Sequence, residues 1–152
     1  MSVLVIVSCG RKKIWDRHPT MGPVQAKDAY IGPPFKINKR YAEKFADRWI
    51  ILSAKYGFID PDFVIPENYN VTFKDPRTNP ISVGKLIEQI REKGLDKFDK
   101  IIILGGKDYA NIVRKAFEKF NVKIIAPTLG LRLGEAMSKV KKAVKNNSPF
   151  DC

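Results

Sequence analysis

The sequence predicts a three-layer, Rossmann-like α/β domain with a mostly parallel central sheet and two long functional loops. Short apolar runs without alternation occur at residues 3–7, 49–52, 100–104 and 122–126, as is typical of strands buried on both faces of a parallel sheet. One-faced helical patterns separate and follow these runs. Because the two kinds of pattern alternate as β-α-β-α-β-α-β-α, helices are expected on both faces of the sheet.

Each helical pattern places apolar residues three or four positions apart, so that one face of the helix is apolar. The apolar positions are Ile37, Tyr41 and Phe45; Val83, Leu86, Ile87 and Ile90; Tyr109, Ile112, Val113, Ala116, Phe117 and Phe120; and Leu133, Met137, Val140 and Val144. Segments 9–34 and 60–80 interrupt the alternation but are rich in aromatic residues, unlike disordered linkers. We therefore expect both segments to be ordered and folded over the strand ends.

Length and composition predict one compact domain over residues 1–147 and a short tail at 148–152. Twenty-eight lysines and arginines face 16 acids, and the net charge of +12 favours an anionic partner, nucleic acid first. Lysine-rich surfaces also occur in thermophile proteins, so this basic character has a second interpretation. The sequence does not distinguish DNA from RNA as the partner, and it does not give the oligomeric state.

Cysteine and histidine are scarce, which bears on compartment and on cofactors. Cys9 and Cys152 are too few for a disulfide framework, and with His18 as the one histidine no metal site is expected. The opening apolar run lacks a preceding basic region, and no run reaches the roughly 20 residues of a membrane helix. A soluble cytoplasmic protein without cofactor or membrane partner is therefore expected.

Small and cationic residues follow the first two predicted strands. Because carboxyl ends of parallel strands border the ligand crevice, both exits are expected to build one site. Lys13 and Lys55 would hold phosphate and Tyr56 or Tyr30 would stack a base, although a solvated lysine beside a core tyrosine is the plainer alternative. The candidate ligand-binding residues at these exits are Ser8, Cys9, Lys13, Ser53, Lys55, Tyr56 and Gly57.

Gly105 and Gly106 join the third strand to the next helix, whose free amide groups favour an anion. The pair matches neither a P-loop nor Gly-x-Gly-x-x-Gly, so a tight turn with Asp108 at the helix start is an equal alternative.

Cys9 is a candidate nucleophile, because a thiol beside cations is expected to ionise readily. No acid is specified to orient His18 as its base, so packing is the favoured role of Cys9.

Basic residues outside the crevice are candidates for nucleic-acid contact. Lys139, Lys142 and Lys145 lie on the polar side of the last predicted helix, and Arg11 and Lys12 follow the first strand. Such a run is usually a solvated face, but it also suits contacts to a phosphate backbone.

Several sequence blocks resemble a family of uncharacterised α/β proteins of bacteria, archaea and phages, and the likeness covers nearly the whole chain. Family members usually have Ser, Lys and Asp where this chain has Gly10, Arg11 and Asn70. The matching blocks are Ser8-Cys9-Gly10-Arg11-Lys12-Lys13, Ala29-Tyr30-Ile31-Gly32, Ser53-Ala54-Lys55-Tyr56-Gly57, Pro61-Asp62, Asn70-Val71-Thr72-Phe73 and Leu104-Gly105-Gly106-x-x-Tyr109.

More distantly, the Leu-Ser-x-x-Tyr-Gly pattern is similar to the peroxide-stress family YaaA, and the Ser-Cys loop to the core domain of archaeosine synthase. These resemblances imply a nucleic-acid-binding protein, for DNA or tRNA, with Tyr30 and Tyr109 added to the crevice. The alternative is an enzyme that acts on a nucleobase or nucleotide, with Asp62 as its acid or base. A third interpretation is a small-anion-binding or scaffold protein.

Overall fold

The structure is a computed structural model that describes residues 1–151. Within these residues the strands are β1 (Val3–Ser8), β2 (Val24–Gln25), β3 (Arg48–Ser53), β4 (Gly57–Ile59), β5 (Val64–Ile65), β6 (Lys100–Leu104) and β7 (Lys123–Ile125). The α-helices are α1 (Ile14–Arg17), α2 (Ala26–Ala29), α3 (Pro33–Phe45), α4 (Val83–Lys93), α5 (Lys107–Ala116) and α6 (Leu133–Lys145). The predicted strands and helices are all present, with ends that differ by a few residues.

The central sheet has the strand order β4-β3-β1-β6-β7. Strand β1 pairs in parallel with β3 on one side and with β6 on the other, and β7 continues the sheet in parallel beyond β6. Strand β4 is antiparallel to β3 and forms one edge. The expected α/β fold with a mostly parallel sheet is therefore confirmed.

Alternate residues of the central strand β1 pack into two different apolar layers. Val5 and Val7 belong to the layer that contains Tyr41 of α3 and Val140 of α6. Leu4 and Ile6 belong to the layer that contains residues of α4 and α5. Since both sides of the strand are buried, its sequence is continuously apolar rather than alternating.

The two long segments pack against each other rather than extending into solvent. Strand β2 of the first pairs with β5 of the second, and Trp15 of the first is buried, with its indole N–H donating to the carbonyl of Met21 at 2.9 Å. Tyr30 and Tyr69, one from each segment, are buried together. Trp15, Tyr30 and Tyr69 are therefore core residues, as expected of ordered segments, whereas Phe63 is exposed.

Strand β4 is the one element of the central sheet that the sequence patterns miss. It has only three residues and follows a turn, which ends at Gly57 with a φ of +79°. The side chain of Gln89 in α4 spans this turn: its amide accepts from Phe58 N–H at 2.8 Å and donates to the Tyr56 carbonyl at 3.0 Å. Helix α4 thereby fixes the chain reversal that begins β4.

Residues 148–151 pack on the domain. Phe150 stacks on Tyr41 with ring centroids 5.0 Å apart, and its N–H donates to the Tyr41 hydroxyl at 2.9 Å. The buried Lys100 ammonium donates to the Phe150 carbonyl at 3.0 Å. Cys152, the last residue of the predicted tail, lies outside the described residues.

We expect Gly57→Ala to lower the free energy of unfolding by about 2 kcal/mol or more, because alanine is strained at positive φ and overpacking adds to the cost. A Cβ at Gly57 would also lie 2.8 Å from Gln89 Cδ. Urea denaturation measures the change. Gly134→Ala is the matched control, since a Cβ there meets no atom within 4 Å and the residue lies in α6. Equal stability of the two variants would contradict this account.

Candidate functional site

The candidate site lies where the connections of the sheet change direction. From β1 the chain crosses to β3 on one side, whereas from β6 it crosses to β7 on the other. The two adjacent strands β1 and β6 end at Ser8 and Leu104, and their following loops diverge here. In open α/β sheets this position forms the ligand crevice.

Ser8 and Gly105 lie in close contact where β1 and β6 end. A Cβ at Gly105 would lie 2.5 Å from Ser8 Cβ and would collide with Ser8 Oγ, so only glycine fits here. The Ser8 hydroxyl is buried and has no hydrogen-bond partner among the described residues. An orphaned buried hydroxyl of this kind is rare in proteins, and this one lies beneath the crevice.

Gly106 differs from Gly105, because nothing lies within 4 Å of the position that its Cβ would occupy. Its φ of −74° suits any residue, so the protein itself requires no glycine here. Gly106 is the N-cap of α5, and no side chain of the described residues caps this helix. The first amide groups of α5, with the positive end of the helix dipole, are therefore open toward the crevice.

Two cavities open from this crevice, one polar and one apolar, and both are bordered by Ser8, Cys9, Gly10, Gly106 and Lys107. The polar cavity has a volume of about 530 Å³ and is further lined by Arg11, Lys13, Asn70, Val71, Thr72, Lys74, Asp108 and Tyr109. The apolar cavity has a volume of about 440 Å³ and is further lined by Pro34, Phe35, Asn38, Gly105, Thr128, Leu129, Gly130, Leu131, Leu133, Ala136 and Met137.

Lys13 is a nearly buried cation in the wall of the polar cavity. Its side chain is 9% exposed, and its ammonium lies 4.6 Å from the centre of the Tyr69 ring. A bridge to Tyr30 and a 2.8 Å bond from Lys13 N–H to the Asp16 carboxylate fix the backbone. No carboxylate of residues 1–151 lies within 4 Å of the ammonium. Burial lowers the pKa of Lys13.

A cluster of hydroxyl groups and the Cys9 thiol lies beside Lys13. The hydroxyl of Tyr69 bonds those of Tyr30 and Ser53, the latter at 2.9 Å, and the thiol of Cys9 lies 3.7 Å from the Tyr109 hydroxyl. Burial raises the pKa of the Cys9 thiol despite Lys13 nearby. The thiol is less acidic than a free cysteine, the reverse of what the adjacent cations predict.

The residues expected at the second strand exit have different surroundings. The Ser53 hydroxyl accepts from the N–H groups of Lys55 and Tyr56, both at 3.2 Å, and so holds the turn after β3. Lys55 is exposed, with its ammonium 5.3 Å from the Tyr56 ring centre and 5.7 Å from that of Tyr69. It borders neither the polar nor the apolar cavity. Gly57 is explained by its turn alone.

Tyr30 is only 2% exposed and packs on Phe35 with a centroid distance of 5.2 Å. Because neither ring face is free, the expectation that Tyr30 stacks a base is wrong.

Asp62 lies away from the crevice. Strand β4 runs antiparallel to β3 and returns the chain toward the start of β3, where Asp62 borders a surface depression with Arg48 and Trp49. Arg48 is paired with Leu4, four residues before Ser8 and therefore about 13 Å from the crevice along the strand. The expectation of Asp62 as an acid or base in the crevice, which came from the resemblance, is wrong, because β4 carries the chain back toward the start of β3.

The other basic candidates divide between the crevice and the surface of α6. Arg11 borders the polar cavity, and Lys12 next to it is exposed. Lys139, Lys142 and Lys145 are exposed on α6, and the Lys139 ammonium donates to the Pro127 carbonyl at 2.7 Å. The polar side predicted for this helix is therefore its solvent face.

Sequence reasoning missed several cavity residues. Lys74, Lys107 and Asp108 line the polar cavity, and Leu129 and Leu131 line the apolar one. The position of Lys107 after the glycine pair was a usable signal for the first group. No local pattern identified the leucines, since the segment between β7 and α6 carries no strand or helix signature.

Comparison with known proteins places the chain in a family. A model for a family of unknown function, DUF6884, matches residues 4–142. The chain belongs to the DUF6884 family. This membership agrees with the expected uncharacterised α/β family. Another similar protein is the uncharacterized protein YfjM of Bacillus subtilis (strain 168), 43% identical over 113 residues, which are 74% of this chain and 75% of YfjM.

Among solved structures, this DUF6884 chain is similar to the crystal structure of AF0587, a protein of unknown function, with a TM-score of 0.45 and 14% identity. The similarity covers 99% of this chain and 47% of that one, so the chain spans about half the length of AF0587.

Residues 1–151 contain no group of three histidine, cysteine or acidic side chains placed to hold a metal ion. None of the helices in this range combines the length and apolarity needed to cross a membrane.

We expect Gly105→Ala to lower the free energy of unfolding by about 1–3 kcal/mol, because the new methyl overpacks against Ser8. The double variant Ser8→Gly/Gly105→Ala removes the colliding atoms and should recover most of that loss relative to Ser8→Gly alone. Urea unfolding of the four proteins in this cycle measures the coupling. Additive effects of the two substitutions would contradict the close contact.

We also expect stability to fall as the pH rises above 9.0, the ordinary pKa of cysteine. The unfolded chain releases the Cys9 proton there while the buried thiol keeps it, which costs about 1.4 kcal/mol per pH unit. Above 10.0 the raised pKa values of Tyr30 and Tyr69 act in the same direction. The lowered pKa of Lys13 opposes the decline only up to 10.5, the ordinary pKa of lysine. Urea unfolding across this pH range should show that the free energy of unfolding of Cys9→Ala begins to decline at a higher pH than that of the wild-type protein. Superimposable pH profiles would refute the role of Cys9.

Proposed function

We propose that this protein binds nucleic acid and takes one nucleotide unit into the crevice between β1 and β6. The phosphate occupies the polar cavity and the base occupies the apolar cavity. The observation that carries the proposal is Lys13, a residue that lines the polar cavity, is only 9% exposed and has no carboxylate of residues 1–151 within 4 Å of its ammonium. Burying a charge is costly unless it is paired, and an anionic ligand supplies the missing partner.

Three other features support phosphate in the polar cavity. Its wall holds four cationic side chains, Arg11, Lys13, Lys74 and Lys107, against the one carboxylate of Asp108. The uncapped first turn of α5 adds free amide groups beside these cations. Gly106 leaves open space at the same point, so the backbone permits close approach of a phosphate oxygen. The buried Ser8 hydroxyl provides a further donor below.

The apolar cavity suits the base. Its volume of about 440 Å³ lies in the usual range for small-molecule sites, about 300–1,000 Å³, and its wall includes Phe35, Leu131 and Met137. Asn38 and Thr128 also line it and offer hydrogen-bonding groups to the edge of a base. Since both cavities share the floor at Ser8–Gly10 and Gly106–Lys107, one nucleotide spans them.

The enzyme alternative has less support than binding. Cys9 has a raised pKa, and Asp62 lies near the start of β3 rather than at the crevice. The likeness to YaaA and to the archaeosine synthase core domain remains a prediction based on a few sequence blocks, as do the cytoplasmic location and the choice between DNA and RNA. A nucleotide unit is the ligand class that these resemblances and the two cavities have in common.

We expect Lys13→Met to weaken nucleotide binding at least about tenfold, because a hydrogen bond to a charged group contributes about 1.5–3 kcal/mol. The stability of the Lys13→Met variant should stay equal to that of the wild-type protein or increase, since the substitution removes an unpaired buried charge. Lys119→Met is the matched control, as Lys119 is an exposed lysine that borders neither cavity. Isothermal titration with adenosine and guanosine monophosphates and with inorganic phosphate measures the affinities, and urea unfolding measures the stabilities.

The same proteins are titrated with tRNA and with single- and double-stranded DNA across a salt series. Salt-sensitive binding to a polymer that is weakened in Lys13→Met but not in Lys119→Met supports the proposal. The proposal is refuted if the wild-type protein binds neither nucleotides nor polymers at low salt, or if both variants lose affinity equally.

A further inference from the structure

The positive charge of the molecule is concentrated on one face. Helices α3 and α6 pack together on one side of the sheet and carry eight lysines and arginines against two glutamates. Helices α4 and α5 on the opposite side carry six against three acids. The excess on the α3/α6 face is therefore half of the net charge of +12. A surface of this kind attracts an extended polyanion.

Lys36 and Arg40 form an exposed pair on consecutive turns of α3. No acidic side chain of residues 1–151 lies within 4 Å of either cation. Two other lysines of α3 have structural partners: Lys39 lies 3.7 Å from the Asp28 carboxylate, and Lys44 donates to the Val144 carbonyl of α6 at 3.0 Å. Lys36 and Arg40 are thus available for an external anion.

The basic face is continuous with the crevice. Helix α3 begins at Pro33, and its first turns supply Phe35 and Asn38 to the wall of the apolar cavity. Lys12 also approaches this helix end, because its Cβ lies 3.9 Å from the position that a Cβ would take at Gly32, the N-cap of α3. A strand whose nucleotide enters the crevice therefore meets Lys36 directly beside it.

From this arrangement we infer that the partner is a single-stranded segment of nucleic acid whose backbone follows the α3/α6 face while one base enters the apolar cavity. The inference rests on the proposed function. A base in a cavity of about 440 Å³ has left its stack and its pairing partner, which a single strand does at little cost. Exposed Leu131 and Leu133 border the same cavity and supply apolar contact area at its mouth.

The test compares Lys36→Glu/Arg40→Glu with Arg114→Glu/Lys115→Glu. Both double variants change the net charge equally, and the second alters exposed residues of α5 on the opposite face. Each protein is titrated with a single-stranded oligonucleotide, a hairpin duplex of the same composition, adenosine and guanosine monophosphates, and vesicles of anionic lipid, across a salt series. Circular dichroism and urea unfolding check that both variants fold.

We expect the α3 variant to bind the single strand about tenfold or more weakly, with a salt slope lower by about 1.4, because each single-strand phosphate contact contributes about 0.7. The affinity of the α5 variant for the single strand should change less than about threefold. The wild-type protein should bind the single strand more tightly than the hairpin. Equal losses in the two variants, preference for the duplex, or binding to vesicles but not to oligonucleotides would each overturn the inference.

Mononucleotide binding separates failure of the inference from failure of the proposed function. It should be unchanged in both double variants, since Lys36 and Arg40 line neither cavity. If wild-type protein binds mononucleotides but no single strand, the inferred track is overturned while the crevice site remains. Absence of binding to either ligand overturns both.

Discussion

Burial of β1 on both faces is the constraint on which the rest of the structure depends. Val5 and Val7 pack toward α3 and α6, whereas Leu4 and Ile6 pack toward α4 and α5, so one strand joins both apolar layers. Because β1 also pairs with β3 on one side and with β6 on the other, its carboxyl end lies in the middle of the row of strand ends. The crevice is therefore bordered by the most restrained part of the backbone, where a ligand site is preorganised.

The two long segments complete the site by a different kind of interaction. Hydroxyl groups of Tyr30, Ser53 and Tyr69 bond to one another beneath Lys13, and the β2–β5 pair ties the same segments together elsewhere. The aromatic rings exclude water, and their hydroxyl groups form hydrogen bonds with one another. The cluster is therefore buried without leaving these hydroxyl groups unpaired. Such a support holds the ammonium in place more rigidly than a flexible surface loop would.

The sequence predicted the regular part of the fold because long apolar strands and one-faced helices have strong periodic signals. It also predicted that Ser8 and Gly105 lie at strand ends, since each directly follows a predicted apolar run. It did not predict β4, a three-residue strand that depends on contacts with α4 some 30 residues later. The burial of Lys13 was equally invisible, because lysine is rarely buried and its surroundings come from distant residues.

The packing of residues 148–151 has a practical consequence. Phe150 stacks on Tyr41, and the Phe150 carbonyl accepts from the ammonium of Lys100. Lys100 is the first residue of β6, whereas the crevice lies beyond the last residue of this strand. Residues 148–151 therefore lie at the end of the sheet opposite the crevice. A sensor surface coupled beyond Asp151 would hold the molecule with its cavities facing the solution. Attachment through exposed lysines would instead orient the protein at random and consume cations of the basic face.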